Sequence, residues 1–134
     1  MQRQTPALLP VLLVVYGVAS LVHFVHNAEF LSNYPNMPAS WSRMDVYFAW
    51  LELTAVGVVG WILIERRFHI AGLALLAVYA ALGIDSLGHY ALAPMSSHSS
   101  AMNATILLEV GAAALVLVEI ARLLLRRAFS GRRG

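Results

Sequence analysis

His23, His26, Asp85 and His89 are metal-ligand residue types at helical spacing, set in stretches that are otherwise apolar. The two histidines of the first pair are three residues apart, and the members of the second pair are four apart. Either spacing puts two side chains on one face of a helix. Neutral imidazole together with carboxylate suits a transition metal such as zinc, copper or iron. Glu52 and Glu109 lie on two further apolar stretches, where they would complete a second metal position or act as general base toward a metal-bound water. Asn27, Glu29, Asp45 and Thr105 are placed to orient these groups through hydrogen bonds.

The surrounding chain explains why these six groups stand out. It is 134 residues long, 60% hydrophobic and only 12% charged, with mean hydropathy +0.72. A soluble domain carries about 25% charged residues, so the composition is that of a membrane protein. Cysteine is absent, which excludes a disulfide framework and a thiolate metal site. Four apolar stretches, at about residues 7–30, 44–65, 68–93 and 102–126, are each long enough to cross a hydrocarbon core of about 30 Å. The breaks between them hold Pro35, Pro38 and a capping serine at Ser40 or Ser42, then Glu65-Arg66-Arg67, then Pro94 with a serine-rich run. The expected fold is all-α: one transmembrane domain, an antiparallel four-helix bundle, with a basic tail over residues 127–134.

All nine basic residues are arginine. Eight of them (Arg3, Arg66, Arg67, Arg122, Arg126, Arg127, Arg132 and Arg133) fall on one side of a four-span chain, and only Arg43 falls on the other. The positive-inside bias places both termini in the cytoplasm, in what we expect is a bacterial inner membrane. Trp41, Tyr34, Tyr47, Trp50 and Tyr90 suit an interfacial belt at the outer side. The net charge of +2 reflects the basic tail and points to no nucleic-acid partner.

With helices rising 1.5 Å per residue and alternating in direction, His23, His26, Glu52, Asp85, His89 and Glu109 fall at one depth in the outer half of the membrane. Such polar stripes face inward, because lipid cannot solvate them. A charged group at the bilayer centre costs about 2.5–3.5 kcal/mol on insertion scales, so groups of this kind pair and mark function. The expectation from residue types is a metal-binding site, in the form of a small membrane metalloenzyme.

The same residues support a metal-free reading. Three carboxylates beside histidines can move protons or stabilise a cationic intermediate. The segments Glu52-Leu53-Thr54-Ala55 and Gly83-Ile84-Asp85 resemble those of the four-helix sterol-isomerase and sigma-2-receptor proteins, the EXPERA group. That resemblance covers these few residues and leaves the histidines unmatched. It implies an acid–base isomerase or proton-coupled carrier for a small lipophilic ligand. A structural membrane subunit is the third reading, since His–Glu pairs also hold helices together. The expected partners are the bilayer, a small lipophilic substrate, and a second copy or a larger membrane complex.

Overall fold

The computed structural model describes residues 8–130. Among them the chain forms four long helices: α1 (Leu8–Glu29), α2 (Arg43–Glu65), α3 (His69–Leu92) and α4 (Ser100–Ser130). All four are long and apolar enough to cross a membrane. They pack as a ring in which α1 meets α2, α2 meets α3, α3 meets α4, and α4 returns to α1. The α1–α2 seam is the loosest of the four.

Local chemistry sets the helix ends. Ser42 caps α2 in a capping box: its hydroxyl accepts from the Asp45 N–H, while the Asp45 carboxylate accepts from the Ser42 N–H at 2.8 Å. At the other end of α2 the N–H groups of Arg67 and Phe68 close onto the carbonyls of Ile64 and Leu63 in a Schellman turn, with Arg67 at φ 70°. Ser99 caps α4 by accepting from the Met102 N–H.

α3 is not a continuous α-helix. Asp85–Gly88 is a 3-10 segment, followed by one last α turn at His89–Leu92. α4 starts earlier than composition suggests and runs on through Arg126 and Arg127 to Ser130, so the first part of the expected tail is helix. Residues 131–134 of that tail lie outside the described residues.

The half of the bundle near the chain termini is filled by Leu9, Tyr16, Leu76, Tyr79, Ala113, Val116 and Ile120. Two tyrosines cross its middle: Tyr16 donates to the Tyr79 carbonyl at 2.9 Å and the two rings stand 4.5 Å apart. Gly83 and Gly57 make room for them, since a Cβ at either position would run into the Tyr16 or the Tyr79 ring. The opposite half, below the connectors 30–42 and 93–99, holds the polar side chains.

Candidate functional site

A cleft of about 640 Å³ opens in this polar half. It is walled by α1, α2 and α3, with Met37 and Trp41 from the connector above. His23, Glu52, Asp85 and His89 all line it, so four residues singled out by spacing do meet at one place. Phe24, Leu53, Val56 and Leu82 make much of the remaining wall apolar.

Three acceptors among the wall residues have no hydrogen-bond partner: the Glu52 and Asp85 carboxylates and Asn27 Oδ1. Among the described residues neither the Glu52 nor the Asp85 side chain makes a hydrogen bond or an ion pair, and both are exposed to the opening. Asn27 donates through Nδ2 to His89 Nε2 at 3.1 Å, which leaves its buried Oδ1 unsatisfied. No arginine lines the cleft, and the chain has no lysine.

Glu109 lies behind the wall and is fully buried. Ser86, a wall residue, donates to Glu109 Oε2 at 2.5 Å. Glu109 Oε1 has no partner. At the same carboxylate oxygen, His23 Nε2 stands 3.7 Å from Oε2. The other ring nitrogen of His23 is 3.3 Å from the Thr105 hydroxyl. Both nitrogens of His23 therefore turn away from the cleft, which meets the ring itself.

Tyr34 roofs the site. It is 3% exposed and does not belong to an interfacial belt. Its phenol bonds to His26 Nδ1 at 2.9 Å, and its ring lies 5.0 Å from that of His89 and 6.4 Å from that of His98. Burial pushes its phenol up to about 12. His98 is also buried; its Nδ1 bonds to the Pro94 carbonyl, and its Nε2 has no partner. Spacing gives no hint of either residue, because each arrives on a connector that has no period to read.

The metal set expected from spacing is not gathered. Among the described residues no three of His, Asp and Glu come together in a way that could hold a metal ion. Two local causes are visible. The 3-10 segment at Asp85 turns the chain by about 120° per residue instead of about 100°, so Asp85 and His89 no longer stack. His26 is drawn to Tyr34, while His89 is held by Asn27. Glu29 and Asp45 also stand elsewhere. Glu29 pairs with Arg43 at 3.2 Å and accepts from Tyr47 at 2.7 Å, and Asp45 serves the α2 cap.

No protein family matches the chain, and no curated protein or solved structure matches it. The short EXPERA likeness at Glu52 and Asp85 thus has no wider match behind it. The assignment of function rests on the cleft and the groups around it.

Proposed function

We propose that this is a multi-pass membrane protein, with its connectors 30–42 and 93–99 outside and its termini in the cytoplasm. In its outer half it binds a small lipophilic molecule bearing a cationic or hydrogen-bond-donating group, and it exchanges a proton with that molecule without a metal. One observation carries the reading: an open cleft, much of its wall apolar, in which the Glu52 and Asp85 carboxylates make no hydrogen bond or ion pair and which no arginine lines. The Glu52 and Asp85 carboxylates are the groups that receive the ligand's donor. A positive charge or an N–H satisfies them, whereas a phosphate or carboxylate meets repulsion.

Glu109 is the proton store. Ser86 stands between it and the cleft, so a proton leaving the ligand passes to the Ser86 oxygen as the serine proton passes to Glu109. This chemistry fits an acid–base isomerase better than a carrier. Beneath the site, Tyr16, Tyr79 and the aliphatic core close the bundle toward the termini. The loose α1–α2 seam is the route by which a lipid-soluble ligand enters from the side. The expectation of a transition-metal site finds no support in the positions of the donors.

Photolabelling tests the reading. A lipophilic amine carrying a diazirine, applied to the protein in lipid nanodiscs, should label the α1 segment around His23–Asn27 and the α3 segment around Asp85–His89. Even labelling over the lipid-facing sides of all four helices would overturn it.

A further inference from the structure

A second cavity, of about 500 Å³, lies on the α1–α2 seam, nearer the chain termini than the cleft. Leu13 and Val14 of α1 and Val58, Trp61 and Ile62 of α2 line it, and among the described residues no arginine, histidine or carboxylate does. In a bilayer a groove at this place meets hydrocarbon, which satisfies no polar group. Two hydroxyls nevertheless belong to its wall. Tyr79 reaches it from α3 and is 5% exposed, and its phenol makes no hydrogen bond among the described residues. Thr54 Oγ1, on α2, is buried and has no partner either. A hydroxyl held in an apolar medium without a partner is costly.

Packing fixes where the phenol points. Gly57 leaves room for the Tyr79 ring, which lies 4.5 Å from that of Tyr16, and the Tyr16 hydroxyl holds the Tyr79 carbonyl at 2.9 Å. The phenol oxygen then comes to rest beside Gly17 of α1. The fold does not require glycine there. Its φ is not positive, and an added Cβ would meet only the Tyr79 oxygen, at 3.8 Å, an ordinary contact. Glycine is a poorer helix former than alanine. What the missing side chain supplies is space next to an unpartnered donor.

We infer that this groove is a second ligand site, which takes a neutral lipophilic carbonyl compound whose oxygen accepts from the Tyr79 phenol beside Gly17. The inference goes beyond the cleft and needs only the membrane placement of the helices. A free O–H calls for an acceptor, which a hydrocarbon chain does not bring. The ester carbonyls of the bilayer's own lipids stay at the interface, whereas Gly17 stands near the middle of α1. The acceptor therefore arrives on a molecule that dissolves in the membrane core. A carboxylate or phosphate is excluded, because no cation in the lining would offset its charge. The volume is in the range of small-molecule pockets, and Trp61 adds an aromatic ring to the wall. The two sites have opposite chemistry: the cleft presents acceptors and the groove presents a donor.

The test uses the full chain in neutral nanodiscs, with a decyl-substituted benzoquinone carrying isotope-labelled carbonyls as the probe. Infrared spectroscopy follows the C=O stretch as the probe is titrated. A carbonyl that accepts from a phenol absorbs at lower frequency than one free in lipid, so the wild type should show a down-shifted band that saturates. Tyr79→Phe keeps the ring in its seat and should abolish that band. Gly17→Leu fills the groove and should abolish it as well. Tyr90→Phe, which removes a phenol that bonds Asn103 elsewhere, should leave it unchanged. A wild type without a saturable shifted band, because lipid chains or a second copy fill the groove, would overturn the site. So would a band that survives either Tyr79→Phe or Gly17→Leu. The amine photolabel reads the cleft and the carbonyl band reads the groove, so failure of one leaves the other untouched.

Discussion

Glu109 is the residue on which most of the polar half converges. Its carboxyl is fully buried, and one of its oxygens, Oε2, accepts from Ser86 and lies 3.7 Å from His23 Nε2. A buried polar group stays tolerable only while its partners stay. Glu109→Gln keeps the shape and the acceptor for Ser86, so it should stay folded. Glu109→Ala strands Ser86 and His23 and leaves a cavity, and it should lower stability by about 2–4 kcal/mol. Thermal unfolding in a single detergent, compared across the two variants, decides this; equal melting temperatures would show that the carboxyl contributes nothing to the packing. At this scale the sequence is legible where a period exists. Thr105 and Glu109 are four apart on one helix, and both stand near His23 on another. The place of Tyr34 is not legible, because a connector that folds back over a site leaves no periodic trace. Glu29 departs from its expected place for a related reason. It is the last residue of α1, where the choice of partner lies with the loop and with Arg43.

At the scale of elements, helix spans are the most readable feature, since a run of about 20 apolar residues rarely forms anything but a membrane-crossing helix. The helices Arg43–Glu65 and His69–Leu92 lie close to the apolar stretches at 44–65 and 68–93, while α4 runs to Ser130 and outlasts its own. The break in α3 has the larger consequence. Nothing in Asp85-Ser86-Leu87-Gly88 announces 3-10 geometry, yet that segment separates Asp85 from His89 and dissolves the expected ligand pair. Close helix approach gives a second prediction. Gly83→Ala drives a methyl into Tyr16 and should cost about 1–3 kcal/mol, as overpacking does. Gly88→Ala and Gly111→Ala meet open space and should be neutral within about 0.5 kcal/mol. The unfolding midpoints of these three variants separate a tight tyrosine seat from a general intolerance of alanine. Ser42→Ala removes one half of the α2 capping box and should cost about 1 kcal/mol in the same assay.

For the whole molecule, the arginine distribution and the ring of four helices describe a bundle with one polar end and one packed end. The orientation has its own check. Cysteines placed at Pro35 and Ser97 should react with an impermeant thiol reagent in intact cells, and one placed at Arg66 should be protected. The reverse pattern would invert the assignment of sides. The overall shape is readable because composition, length and charge asymmetry act over the full chain and average out local error. The cleft is not, since it depends on how loosely α1 and α2 meet, and no single-helix pattern records that. The central claim is that this cleft selects a lipophilic donor by its unpartnered acceptors. The most direct measurement is equilibrium binding, in neutral nanodiscs, of a fluorescent alkylamine and of the carboxylic acid of equal length. The wild type should bind the amine about tenfold or more tightly than the acid, and the Glu52→Gln, Asp85→Asn double variant should lose that preference while keeping its fold. Equal affinity for the two probes, or an amine preference that survives the double substitution, would contradict it.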